Sequence, residues 1–151
     1  HAGELLAVDA SPEMLRLNAA KVGDSRVRYA VADAFGMAPD PTWDVVFFGF
    51  FLSHVPPSHL AAFWNTVLGL LATGGRVFFV DEARHDEWRE DWINESAGVV
   101  RRTLTDGSVH RAVKVLWRPA ELKERLTALG WRASVTATGP LYWGIATPAP
   151  R

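Results

Sequence analysis

The chain has 151 residues, 48% of them hydrophobic and 22% charged, with a formal net charge of -1: enough for one globular domain with a sizeable core, and no bulk attraction to a phosphate backbone or an anionic membrane. It has no cysteine, which excludes disulfides, thiolate metal sites and a cysteine nucleophile. A small-molecule partner, no nucleic acid, no membrane and a default cytoplasmic location are the expectations.

The opening His1-Ala2-Gly3-Glu4 lacks the basic and apolar regions of a signal peptide and reads as the middle of something longer. Leu5-Leu6-Ala7-Val8 reads as a buried strand that stops at Asp9. Ser11 then supplies an N-cap, Pro12 the first helical position and Glu13 an acidic first turn, and the helix runs through Met14, Leu15, Leu17, Ala20 and Lys21 to Gly23. Strand, acidic residue and capped helix make half of a βαβ unit. A second strand, Val27 to Val31, ends at Ala32-Asp33-Ala34-Phe35, and a loop around Pro39 and Pro41 follows. Trp43 to Gly49 holds an apolar run of β-branched and aromatic residues, unbroken after Asp44, which predicts a parallel strand in the middle of the sheet, buried on both faces. Ser53 and His54 come just before the Pro56-Pro57 breaker, beyond the carboxyl end of that strand, where open α/β sheets bind ligands. A helix carrying Leu60, Phe63, Trp64, Val67, Leu68 and Leu71 is expected to end at Thr73-Gly74-Gly75, before a strand Arg76 to Val80 capped by Asp81-Glu82. The alternation argues for a parallel sheet with helices on its faces.

In the second half, Trp88, Trp92 and Glu95 fall at helical spacing and predict a charged helix over His85 to Ser96 with one aromatic edge. Val99 to Leu104 and Val109 to Trp117 flank Thr105-Asp106-Gly107-Ser108, a hairpin signal. A helix from Pro119, with Leu122, Leu126 and Leu129 inward, stops at Gly130, and Trp131 to Thr138 and Leu141 to Ala146 read as antiparallel strands closing the sheet edge. Trp117, Trp131 and Trp143 are expected in the core.

Four segments in order carry a resemblance: Leu6-Ala7-Val8-Asp9-Ala10-Ser11-Pro12-Glu13-Met14-Leu15, Val31-Ala32-Asp33-Ala34, Trp43-Asp44-Val45-Val46 with Leu52-Ser53-His54-Val55, and Leu71-Ala72-Thr73-Gly74-Gly75-Arg76-Val77. Together the chain resembles a class I S-adenosylmethionine-dependent methyltransferase, of the small-molecule branch with ubiquinone/menaquinone-type and antibiotic-tailoring members. The resemblance implies an α/β Rossmann-like fold in three α/β/α layers, a mostly parallel sheet with an antiparallel C-terminal edge. Residues 1–151 would be one methyltransferase domain from its second strand onward, with 84–118 as a helix plus hairpin insertion. The family's first strand, following helix and Gly-rich loop belong upstream of Asp9, so the fold is expected to be N-terminally incomplete and this stretch alone inactive.

By the same resemblance, Asp9 accepts hydrogen bonds from the two ribose hydroxyls of S-adenosylmethionine, Ala10 and Met14 line the adenine, Asp33 takes the adenine amino group with the Ala34 N–H facing a ring nitrogen, and Gly49 and Phe50 pass close to the methionine part. Each residue also has a plainer reading: Asp9 as a helix cap, Met14 as core, Asp33 as a turn former, Gly49 as a bulge glycine. His54, the imidazole nearest the Gly49 strand end in sequence, is the candidate catalytic base for a hydroxyl or amine acceptor, and capping the following helix is its alternative. Ser53, Trp88 and Trp92 are candidate substrate contacts. Arg101, Arg102, His110, Arg111 and Lys114 suit a solvated face, an acidic substrate or a homodimer partner, and no metal site is expected from Asp81, Glu82 and His85. The expected reaction is methyl transfer to oxygen or nitrogen of a small molecule. A non-catalytic binding module and a nucleotide-cofactor oxidoreductase are the alternatives.

Overall fold

The computed structural model describes residues 2–38, 41–85 and 89–150. Strands β1 (Leu5–Asp9) and β2 (Val27–Val31) pair in parallel, connected by helix α1 (Pro12–Val22). The α1 boundaries follow from local chemistry. Ser11 Oγ accepts the Met14 N–H at 3.3 Å and Pro12 pre-sets the first turn. Gly23 ends the helix in the left-handed region at φ 60°, with its N–H donating to the Ala19 carbonyl.

The main body is a four-stranded sheet built from β3 (Trp43–Gly49), β4 (Leu71–Glu82), β8 (Trp131–Thr138) and β9 (Leu141–Pro148), in the order β3-β4-β9-β8. Strands β3 and β4 are parallel and joined through helix α2 (Leu60–Leu70), while β9 runs antiparallel to both β4 and β8. Helix α3 (Pro119–Ala128) leads into β8. A separate antiparallel sheet holds β5 (Trp92–Asn94), β6 (Val99–Thr103) and β7 (Val109–Val113). None of the described helices is long and apolar enough to cross a membrane.

One face of the four-stranded sheet carries the core. Val46 and Phe48 of β3, Val77 and Phe79 of β4 and Tyr142 and Ala146 of β9 meet α2 through Phe63, Trp64 and Val67, and α3 through Leu122 and Leu126. Phe48 stacks on Phe79 with centroids 5.7 Å apart, and Trp64 sets its edge against Phe79 at 5.8 Å and against Trp131 at 4.8 Å. Burying a side chain such as Phe79 stabilises the fold by about 1.5–3 kcal/mol. Gly144 belongs to this packing, because a Cβ there would lie 2.3 Å from Phe79 Cζ.

The structure corrects several expectations. Strand β3 is the edge of its sheet among the described residues, and its second face is open: Val45, Phe47, Phe78, Trp143 and Ile145 are all exposed, Phe47 at 59%. An apolar run shows that both faces are apolar and cannot show what covers each of them. Trp143 therefore leaves the expected core and joins a row with Phe47 and Phe78. Helix α2 stops at Leu70, and the glycines serve β4 instead, with Gly74 at φ 79° and a Cβ on Gly75 only 2.9 Å from the Ala72 carbonyl oxygen. Of the helix expected over His85 to Ser96, residues 86–88 lie outside the described residues, and the described part holds the strand Trp92–Asn94 instead. Trp92 and Ile93 favour an extended backbone, and the charges that suggested a helix face instead cross to β6, Asp91 to Arg101 and Glu90 to Arg102. The hairpin forms as expected around Gly107 at φ 83°, although the chain leaves the strand at Val113 rather than at Trp117.

Candidate functional site at the carboxyl ends of the strands

Strand β1 ends at Asp9, opposite Val31 of β2, and the Ala32 N–H donates to the Asp9 carbonyl at 3.2 Å. Asp9 and Asp33 thus sit at one rim. Each carboxylate is held by its own loop: Asp9 Oδ1 accepts the Ser11 N–H at 2.7 Å, and Asp33 Oδ1 accepts the Phe35 N–H at 2.9 Å. Both side chains are exposed, and among the described residues Oδ2 of each has no partner. Asp9 therefore does two things, bracing the entry to α1 with one oxygen and keeping the other free to accept.

Ala10 follows at the same rim and is exposed. Met14 is 54% exposed while its neighbour Leu15 is buried, which removes the core reading of Met14. Met14 and Asp9 share a shallow concavity of about 310 Å³ that runs along α1 to Leu17 and Lys21. Asp33, Gly49 and His54 do not line it. Ala34 packs against the core, and Phe35 fixes the Asp33 loop to the main body. The Phe35 ring lies 5.8 Å from Phe63 and 6.5 Å from Phe51, and its carbonyl accepts the Thr66 Oγ1 hydrogen at 3.1 Å.

Gly49 is constrained by crowding, since a Cβ would meet Phe47 Cζ and Val80 Cγ1, both at 3.3 Å. The strained residue is the next one. Phe50 has φ 54°, alone among the described non-glycine residues, and its N–H donates to the Val80 carbonyl at 2.8 Å. Such a conformation costs of order 1–3 kcal/mol and is found where surrounding structure enforces it. Nothing in the sequence marks Phe50 as the left-handed residue rather than Gly49.

The turn Leu52–His54 is tied down by its backbone. Ser53 is buried, its N–H donates to Asp81 Oδ2 at 2.9 Å, its carbonyl accepts the Val115 N–H at 2.7 Å, and its Oγ faces the interior with no partner among the described residues. His54 is exposed, with Nδ1 3.0 Å from the Val113 carbonyl oxygen. A carbonyl oxygen only accepts, so Nδ1 carries the hydrogen and the neutral ring keeps its lone pair on Nε2. Sequence reasoning missed Asp81, which is 1% exposed and accepts the Glu82 N–H on Oδ1 at 2.8 Å as well as Ser53 on Oδ2. Burial and the Asp81 charge together push the Tyr142 phenol well above its ordinary range.

Trp88 lies outside the described residues, and Trp92 is half-buried in β5 opposite Val100. The basic residues of the hairpin are largely neutralised: Arg101 pairs with Asp91, Arg102 with Glu90, and Lys114 is buried against Glu82. Glu90 raises the Arg102 guanidinium pKa further.

A family model described as a methyltransferase domain matches residues 1–75. Comparison with curated proteins gives no match. Among solved structures, the DhpI–SAH complex is 40% identical over 98% of this chain and 67% of its own, with a TM-score of 0.85. The DhpI–SAM–HEP complex is 39% identical over 97% of this chain and 69% of its own, with a TM-score of 0.83. The protein PH0226 from Pyrococcus horikoshii OT3, 22% identical over 96% of this chain and 71% of its own with a TM-score of 0.74, shares the fold. With a relative 40% identical over 98% of this chain, the chain belongs to the class I S-adenosylmethionine-dependent methyltransferases.

Proposed function

We propose that the chain serves methyl transfer to an oxygen or nitrogen of a small-molecule acceptor, with His54 taking the acceptor's proton. The observation that carries this reading is the His54 Nδ1 to Val113 carbonyl bond, which leaves Nε2 as the basic nitrogen of an exposed imidazole beside the strand ends. The cofactor, when bound, supplies a methyl group on a sulfonium that is already a good leaving group. The protein's work is to hold, align and exclude water, effects worth on the order of 7 kcal/mol or more in ideal intramolecular models.

In this reading the free oxygens of Asp9 and Asp33 suit the two ends of an adenosine: Asp9 the vicinal hydroxyls, Asp33 the amino group, with Ala34 N–H toward a ring nitrogen. The donor chemistry fits, because both carboxylates accept only and both target groups donate. Ala10 and the exposed Met14 would flank the adenine, and Gly49 with Phe50 would hold the methionine part. Trp92 is proposed for the acceptor wall, while buried Ser53 contributes its backbone. DhpI has been solved with both SAM and HEP, which supports a second-ligand site in this group of proteins.

The test is labelled-methyl transfer by the full-length protein to a panel of hydroxyl and amine acceptors. His54→Ala should lower turnover by about 10²–10⁴, the usual contribution of a general base, with SAH affinity within about twofold of wild type. Unchanged turnover on the best acceptor would remove His54 from the chemistry.

A further inference from the structure

We infer that Asp81 is a positioning residue for His54, acting through the Ser53 backbone and the chain that leaves β7. The contacts form a closed circuit. Asp81 Oδ2 receives the Ser53 N–H at 2.9 Å, the Ser53 carbonyl receives the Val115 N–H at 2.7 Å, and two residues before Val115 the Val113 carbonyl receives His54 Nδ1 at 3.0 Å. His54 is the next residue after Ser53, so the ring through Ser53, Val115, Val113 and His54 closes on itself, and Asp81 anchors it at the Ser53 N–H. Lys114, between Val113 and Val115, is buried and paired with Glu82, the residue next to Asp81, which locks the same two segments a second time.

A carboxylate is required by the donors it meets. Asp81 is 1% exposed and both of its oxygens receive backbone N–H groups, Ser53 on one and Glu82 on the other. An amide has one accepting oxygen and would turn its NH₂ toward the second N–H. A buried charge is tolerated only when bonded in this way. The consequence is chemical: by fixing where the Val113 carbonyl stands, Asp81 selects the His54 tautomer with Nε2 unprotonated. Its importance for transfer rests on the role proposed for His54, whereas its effect on the imidazole does not.

The experiment is ¹⁵N NMR of the His54 imidazole in the full chain at a pH where the ring is neutral, for wild type and Asp81→Asn. In water the Nε2–H form of neutral histidine predominates, so a dominant Nδ1–H form reports the Val113 bond. Wild type should show Nδ1–H in excess, and in folded Asp81→Asn the ratio should fall by about threefold to tenfold, the range of one net hydrogen bond. Turnover of the variant should fall while its SAH affinity stays within about twofold. A folded variant with the wild-type ratio would overturn the proposal. Should Asp81→Asn not fold, amide exchange in wild type decides: the Ser53 and Val115 amides must be protected like those inside β4, and exchange near the free rate overturns it. If His54→Ala keeps full turnover while Asp81→Asn still shifts the tautomer, the positioning stands and the proposed base does not.

Discussion

Asp9, Asp33 and Asp81 are the same residue type in different electrical settings. The first two are exposed and spend one oxygen on an N–H two residues ahead, whereas Asp81 is buried and spends both. Local bonds are legible in a sequence because a strand end followed by a small-residue turn needs an acceptor there. Asp81 bonds across 28 positions to Ser53, and only folding reveals that partner. Tyr142 offers a test at this scale. Its hydroxyl is buried without a partner among the described residues, and its pKa is raised by burial and by Asp81. The folded state therefore favours the neutral phenol, so this contribution is complete below the unfolded value near 10 and is lost as pH rises above it. Tyr142→Phe should be within about 1 kcal/mol of wild type at pH 7, or more stable, and should lose less stability between about pH 10 and 11, measured by urea midpoints. A steeper alkaline loss in the variant would contradict this.

At the scale of elements, the readable parts are those that one short stretch decides: α1 from Ser11-Pro12 and Gly23, the hairpin from Gly107, α3 from Pro119 and Gly130. The misread ones depend on a partner. The stretch around Trp92 reads as a charged helix, and its Asp91 and Glu90 turn out to answer Arg101 and Arg102 on a neighbouring strand. Gly74 and Gly75 look like a helix stop, and in fact Gly74 takes a left-handed backbone while Gly75 lets β4 pass the Trp43 and Asp44 carbonyls. Gly144 shows the same dependence, being small for the sake of Phe79 on the next strand. Gly144→Ala should cost about 1–3 kcal/mol in urea unfolding with an unchanged m-value, the usual penalty of overpacking. A neutral result would mean that the Phe79 ring has room to shift.

Across the whole molecule, the β1-α1-β2 unit and the four-stranded sheet are distinct pairing systems, and Phe35 with its Thr66 bond is a main tie between them. Stability should be uneven accordingly. Amides of β1 and β2 should exchange at least about tenfold faster than those of β4 and β9, and Phe35→Ala should widen that gap. Equal rates would show that the two systems unfold as one. The sequence located the ends of β1, β2 and β3, because the order of elements is written locally. It gave no view of which apolar face stays open, since Phe47 and Phe48 look alike until one meets Phe79 and the other solvent.

The central claim is that Asp9 and Asp33 jointly hold the adenosine of the cofactor. Its most direct test is calorimetry of S-adenosylhomocysteine binding to wild type, Asp9→Ala and Asp33→Ala. Each variant should bind at least about tenfold more weakly, as expected when a hydrogen bond to a charged group is removed. Wild-type affinity in either one would contradict the account.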